Sequence, residues 1–323
     1  MSDWGSPQDL SKPGFLAIAE RGIGDALTLL PSLRSLRAAR PELRIELLAP
    51  GLFPLAANVL DTATILDHRP LADLSDQERL AWLEQRQSRW VWNTEGERGP
   101  WTQALRGVSN PDWRTAPPQR KWGGRHVIQV RSEQLRALFP TVEVRGEIGL
   151  VLTPAQEAAR RAFRAGVPPG ETLVAIHPGA AHPDRVWPAD KFRSLAAALA
   201  ERPGVAVFVF VGDAEAHFGA PGYLPERGNL RSVREPLDSA VAKLAACDLL
   251  IGNESGFYHL AFALGLKVAG VFRSLRGAQR WAYRSPRSRV VISWMPRPFR
   301  RDWATWISVA RVLRAARKVA PGL

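Results

Sequence analysis

Asp25, Arg185, Glu254, Ser255 and His259 are the residues whose types and settings could carry chemistry in this chain. The densest setting is Asn253-Glu254-Ser255-Gly256-Phe257-Tyr258-His259, which follows the apolar Leu249-Leu250-Ile251 and runs into Leu260-Ala261-Phe262-Ala263-Leu264-Gly265. The pattern predicts a short buried strand, a polar loop, and a helix whose first turn carries Ser, Gly and His. Such a helix start offers unpaired backbone N–H groups and the positive end of the helix dipole, a setting suited to phosphate. Gly256 lets a ligand approach the backbone, and Ser255 can either cap the helix or donate to a phosphate oxygen. The same residues would serve a capped helix in a packed core, so the decision rests on the rest of the chain.

Two other loops add polar groups. Asp25 follows the glycine turn Gly22-Ile23-Gly24 after the apolar Phe15–Ala19. A carboxylate there can take a proton from a hydroxyl, or merely complement a helix dipole. In Ile176-His177-Pro178-Gly179-Ala180-Ala181, Gly179 and Ala180 offer backbone N–H groups, and the following Arg185 offers a charged fork for phosphate. Glu215, just past a strand that ends near Gly212, can accept from a ribose hydroxyl. His259 can donate to a phosphate or a donor sugar, or be a simple buried histidine. Trp187 reads as a packing residue. No cluster has metal-ligand spacing, and the lone Cys247 excludes thiolate sites and disulfides. The chain has no Gly-x-Gly-x-x-Gly with a downstream acid and no Walker A lysine, which speaks against nicotinamide and P-loop enzymes.

The elements that must position these residues alternate between strand and helix. At 323 residues and 46% hydrophobic, the chain suits two ordered domains. Strand Phe15–Ala19, a helix from Gly22 to Arg40 and strand Arg44–Leu48 form a β-α-β unit, the mark of a parallel sheet. Strand 64–66, a helix from Ser75 to Arg89 with the capping box Ser75-Asp76-Gln77-Glu78, and strand Trp90–Trp92 follow. Residues 95–122 read as an extended irregular loop, and a helix lies around Gln134 to Phe139. After a linker, Pro140 to Leu152, a helix from Thr153 opens a second α/β series through Phe272. Trp303–Lys318 is expected as an amphipathic helix. The N-terminus has neither a basic n-region nor an apolar h-region, no run spans a bilayer, and a single cysteine fits a reducing compartment. A cytoplasmic protein is expected. The net charge of +13 calls for an anionic partner: nucleic acid, a membrane face or a phosphorylated substrate. Its basic residues read as scattered solvated helix faces, and no nucleic-acid-binding motif is present, so nucleic acid is not expected.

Three segments together resemble glycosyltransferase family nine, the ADP-heptose:lipopolysaccharide heptosyltransferases. They are Arg21-Gly22-Ile23-Gly24-Asp25-Ala26-Leu27 to Leu33; Ile176 to Ala181 with Arg185-Val186-Trp187-Pro188 and Phe192; and Asn253 to Gly256 with His259-Leu260-Ala261 and Leu264-Gly265. The resemblance implies a GT-B fold: two Rossmann-like doubly wound domains facing a central cleft. Residues 14–150 would be the acceptor-side domain, 151–299 the nucleotide-sugar-binding domain, and 300–323 a C-terminal helix packing back on the body. It implies an inverting, metal-independent transferase without cofactor, moving a sugar from an ADP-sugar, ADP-heptose above all, to a lipopolysaccharide-core or related saccharide. Asp25 would be the catalytic base. Gly179, Ala180, Arg185, Glu254, Ser255, Gly256 and His259 would hold the donor and its phosphates, with Gly212 and Glu215 at the nucleotide. Arg21, Gly24 and Glu95 would lie on the acceptor side. The partners implied are a nucleotide-sugar and a saccharide or glycolipid acceptor, with peripheral contact at the anionic inner membrane. A sugar-nucleotide epimerase and a non-catalytic sugar-nucleotide-binding protein are the alternatives. The chain departs from the family in carrying Glu254 for Asp, Arg185 for Lys, Ala19 for a basic residue, and a stretch Asn93-Thr94-Glu95-Gly96 without the usual acceptor-side pattern.

Overall fold

The computed structural model describes residues 11–19, 22–49, 63–67, 71–94, 99–108, 114–115, 123–146, 148–213, 215–220, 222–225, 227–293 and 303–323. The chain divides into two compact units, Met1–Ile148 and Gly149–Leu323.

The first unit runs β1 (Gly14–Ile18), α1 (Ile23–Leu27), α2 (Leu30–Ala39), β2 (Arg44–Ala49), β3 (Thr64–Asp67), α3 (Asp76–Gln85), β4 (Ser88–Asn93), α4 (Pro100–Arg106), β5 (Arg114–Thr115) and α5 (Val127–Leu138). Its five strands are parallel in the order β3-β2-β1-β4-β5. Every residue of β1 is buried, which is what a central parallel strand covered on both faces requires. Leu16 and Ile18 pack with Leu83, Val91 and Trp101, while Phe15 meets Trp92 and Phe139, so the two alternating sets of β1 face two cores.

The second unit runs α6 (Pro154–Ala165), β6 (Thr172–His177), α7 (Ala189–Ala200), β7 (Val205–Phe210), β8 (Leu230–Val233), α8 (Leu237–Ala245), β9 (Leu249–Asn253), α9 (Gly256–Ala263), β10 (Lys267–Phe272), α10 (Leu275–Trp281), β11 (Ser288–Ile292) and α11 (Val309–Val319). Its six parallel strands lie in the order β11-β10-β9-β6-β7-β8. Val174, Ile176, Val207, Val209, Leu249 and Ile251 form one core with Phe192 and Leu195 of α7 and Val312 and Ala316 of α11. Each such side chain larger than alanine, taken wholly from water, contributes about 1.5–3 kcal/mol.

Both sheets are therefore doubly wound, as the sequence implied. Strand order reverses between β1 and β4 in the first unit and between β6 and β9 in the second, and ligands of open α/β sheets bind beyond the strand ends at such points.

Five sequence expectations change. The helix read from Gly22 to Arg40 breaks at Thr28–Leu29, because Pro31 has no N–H and its ring collides with the carbonyl four residues back. The capping box at Ser75 is present, yet the helix stops at Gln85, and Gln87 at φ 48° turns the chain into β4. Within 95–122, read as one irregular loop, Pro100–Arg106 is helical and Arg114–Thr115 joins the sheet. Helix α5 starts seven residues before the predicted Gln134, because His126 and Gln129 form a capping box of a kind that Ser/Thr patterns do not reveal. The last helix begins at Val309, capped by Ser308, and Trp303–Ile307 form a turn before it.

Candidate active site

In the first unit the groups gather at the β1/β4 reversal. Gly22 adopts φ 145°, a conformation that side-chain-bearing residues rarely enter, and turns the chain off β1 into α1. Asp25 follows in that short helix with a side chain 15% exposed, and its Oδ1 lies 3.5 Å from Arg131 Nη2. Arg131 is buried and fixed. Its Nη1 donates to the Thr94 carbonyl at 3.2 Å and to Gln134 Oε1 at 3.1 Å, an oxygen that also accepts from Trp92 Nε1 at 3.4 Å. Thr94, just past β4, is tied to β1 by its N–H and Oγ1, both donating to the Ile18 carbonyl. Asp25 is thus a partly exposed carboxylate with a fixed guanidinium as counter-charge. Gly24 is buried within α1. Arg21 and Glu95 lie outside the described residues.

In the second unit the β6/β9 reversal collects more. Asn253, fully buried at the end of β9, donates from Nδ2 to the Pro178 carbonyl at 2.6 Å and accepts the Trp187 N–H on Oδ1 at 3.0 Å. One amide thereby fixes both the loop after β6 and the approach to α7. Gly252 beside it is needed for close strand approach, since a Cβ there would sit 2.8 Å from the His177 carbonyl. His177 donates from Nδ1 to the Phe210 carbonyl at 3.0 Å and stacks on Phe257 at 4.2 Å. Burial holds its imidazole below the usual histidine range, so the ring is neutral and Nδ1 carries the proton.

Gly179 follows. A Cβ there would lie 2.7 Å from Glu215 Oε1 and 3.0 Å from His177 Nε2, so only glycine admits the carboxylate. The other oxygen, Oε2, accepts the Gly212 N–H at 3.1 Å. Glu215, Gly212, Gly179 and His177 therefore converge. A carboxylate in this place repels phosphate but suits a hydroxyl donor such as a ribose.

Across β9, Glu254 is buried and its Oε1 lies 3.5 Å from Arg185 Nη1 in the 3-10 turn Pro183–Arg185. Burial pushes the Glu254 carboxyl above the ordinary range although Arg185 and Arg280 pull it down, and Asp184 adds to the rise. Arg280, on α10, is a cation near this site that the motifs did not reveal. Ser255 occupies the N-cap of α9 but makes no capping hydrogen bond, and its buried Oγ has no hydrogen-bonding partner among the described residues. Of the two roles open to Ser255, the cap is thus not used. Gly256 opens α9. His259, one turn in, is buried with Nδ1 2.7 Å from the Tyr283 hydroxyl and its ring edge-on to Trp281 and Tyr283. Ala180 lies in the loop after Gly179, partly exposed.

The turn that carries Arg185 is buttressed from behind. Trp187 Nε1 donates to the Ile307 carbonyl at 3.0 Å, and Trp303 Nε1 to that of Asp184 at 3.1 Å. Lys191 Nζ donates to the carbonyls of Ala304, Thr305 and Ile307 at 2.9, 2.9 and 3.0 Å. Asp184 also pairs with Arg273. Trp187 is fully buried against Phe192, so it packs rather than stacks on a ligand. Among the described residues no group of three or more His, Cys, Asp or Glu could hold a metal ion. Cys247 is buried, and burial raises its thiol pKa, so it offers no thiolate.

The family model of glycosyltransferase family 9 (heptosyltransferase) matches residues 139–297. No curated protein matches the chain. Among solved structures, a family 9 glycosyl transferase from Veillonella parvula is similar at 16% identity and TM-score 0.75, over 98% of this chain and 99% of that one. The E. coli ADP-heptose lipopolysaccharide heptosyltransferase II is 16% identical at TM-score 0.71, over 96% and 99%. The dodecameric iron-containing heptosyltransferase TibC, in complex with ADP-D-beta-D-heptose, is 15% identical at TM-score 0.61, over 96% and 77%.

Proposed function

We propose, from the premise that this chain carries a glycosyltransferase family 9 domain at residues 139–297, that it is an inverting transferase moving a sugar from an ADP-sugar, ADP-heptose foremost, to a lipopolysaccharide-core or related saccharide. The observation that carries the reading is the convergence at the β6/β9 reversal. Arg185, paired with Glu254, and Ser255, whose Oγ has no partner among the described residues, stand at the end of β9 and the start of α9, and the hydroxyl-accepting Glu215 with its glycine neighbours stands past the ends of β6 and β7 in the same sheet. That set matches a ribonucleoside diphosphate: ribose on the carboxylate, phosphates on the guanidinium, the hydroxyl and the helix start. The ADP-heptose bound by TibC supports the same donor class.

In the reaction an acceptor hydroxyl oxygen attacks the anomeric carbon and its proton passes to the Asp25 carboxylate. The bond from that carbon to the diphosphate oxygen breaks, and the oxygen leaves with the electron pair. Attack opposite the leaving group inverts the centre. The developing charge is met by Arg185, the Ser255 hydroxyl and the N–H groups of α9, so the step is proposed to be metal-independent. His259 is assigned to the donor sugar, and Gly24 to the acceptor side. Among the described residues no helix is long and apolar enough to cross a membrane. A glycolipid acceptor would be reached by peripheral contact with the anionic inner leaflet from the cytoplasm.

A melting-temperature screen against ADP, UDP, GDP and CDP tests the donor half, because a ligand bound only to the native state raises Tm. An ADP-selective rise is expected. Selectivity for UDP or GDP overturns the donor assignment.

A further inference from the structure

The formal charge of +13 is not spread along the chain. Residues 255–323 hold 14 Lys and Arg against one acid, Asp302, a net of +13, so residues 1–254 sum to zero. The helix-by-helix impression of scattered basic faces misses this asymmetry. Within the described part of that segment, Arg289 on the edge strand β11 and Arg311, Arg314 and Lys318 on α11 line one groove. Val290, Val291, Ile292 and Ala315 give it an apolar lining, and among the described residues no carboxylate lines it. Arg311 is anchored, donating to the carbonyls of Ile292 and Trp306, both at 3.1 Å. Arg314, Arg317 and Lys318 are exposed. Trp306, whose carbonyl Arg311 holds, leaves 53% of its surface in water.

We propose that this edge of the second unit is the surface by which the protein lies on an anionic lipid bilayer. The proposal rests on the membrane-held acceptor suggested above and deepens it by naming the residues, but it does not depend on the transfer chemistry. An edge strand is commonly guarded by a charge against unwanted pairing, which accounts for Arg289 and not for a helix face of cations beside it. Lys and Arg stems lie along an apolar floor while their heads reach headgroup phosphates, and an exposed indole settles at the membrane interface. A nucleic-acid duplex would meet the charge but would use neither the apolar floor nor the indole.

Flotation of the full chain with vesicles tests this. Binding is expected to phosphatidylglycerol mixed with phosphatidylcholine, to weaken steeply with salt, and to be absent with phosphatidylcholine alone. The triple variant Arg314→Gln, Arg317→Gln, Lys318→Gln should lose about 100-fold in partitioning, at roughly fivefold per charge. The charge-keeping pair Arg314→Lys, Arg317→Lys should bind like the parent, which separates electrostatics from misfolding. Equal binding to both vesicle types, a triple variant that floats like the parent, loss in the lysine pair, or displacement from vesicles by duplex DNA overturns the proposal. Transfer to a delipidated saccharide by the triple variant should equal the parent's. If the parent shows no transfer at all, the transferase reading fails while the flotation result still decides the surface.

Discussion

Replacing Gly179 with alanine should separate donor binding from stability. The added Cβ would lie 2.7 Å from Glu215 Oε1, 2.8 Å from its Cδ and 3.0 Å from His177 Nε2. Comfortable contact needs about 3.5 Å or more, so the nearest neighbour must retreat by roughly 0.8 Å. His177 is held by the Phe210 carbonyl and by Phe257, whereas Glu215 sits at the end of a flexible side chain. The carboxylate therefore withdraws, and its 3.1 Å bond from the Gly212 N–H breaks. A hydrogen bond to a charged group is worth about 1.5–3 kcal/mol, which sets a loss of roughly 10–100-fold in ADP affinity if Glu215 must be held there to bind ribose. The fold should lose no more than that bond, because the half-buried carboxylate can turn to water and the backbone is not strained. Gly179 has no positive φ, and alanine restricts the unfolded chain by about 0.4–1 kcal/mol in its favour. Calorimetric titration with ADP, alongside a melting curve, reads both effects. Glu215→Ala should weaken binding similarly, and the double variant should be no worse than that single one. Unchanged ADP affinity in Gly179→Ala, or fully additive losses in the double variant, would refute the reasoning.

Ser255→Ala removes a buried hydroxyl that has no partner among the described residues, so Tm should hold or rise slightly while ADP affinity drops about 5–10-fold. A lower Tm with unchanged affinity would make Ser255 a structural cap. Asn253→Asp puts an oxygen against the Pro178 carbonyl 2.6 Å away and buries a charge, so unfolding stability should fall by about 3 kcal/mol or more in denaturant titration. A loss below about 1 kcal/mol would show that the two loops are fixed otherwise. Glu254 keeps its proton to higher pH in the folded protein than in the unfolded chain, so its contribution to stability falls as pH rises above the ordinary value of 4.5. The Tm of Glu254→Gln minus that of the parent should therefore grow with pH from about 4.5 upward, and a difference that shrinks contradicts the burial argument.

Much of this was legible in the sequence, and the reasons differ from residue to residue. Fully apolar strands such as Val205–Phe210 and turns such as Gly22-Ile23-Gly24 have local causes, so both doubly wound sheets could be read directly. The motif loops likewise delivered Asp25, Gly179, Arg185, Glu254 and Ser255 to strand ends at the two reversals. Arg131 and Arg280 escaped because each sits on a helix with no motif, and only folding carries Arg131 to Asp25 from over a hundred residues away. Asn253 lay within the quoted motif, but its bracing of two loops depends on contacts 75 and 66 residues away. The buttress from Lys191 to Ala304–Ile307 has no sequence signal at all, since a surface lysine and three backbone carbonyls look ordinary.

Single-turnover transfer by Asp25→Asn, with donor affinity measured on the same preparation, tests the central claim most directly. The account predicts parental ADP-sugar binding and transfer slowed by about 10²-fold or more, the share a positioned base supplies. Transfer at the parental rate would contradict it.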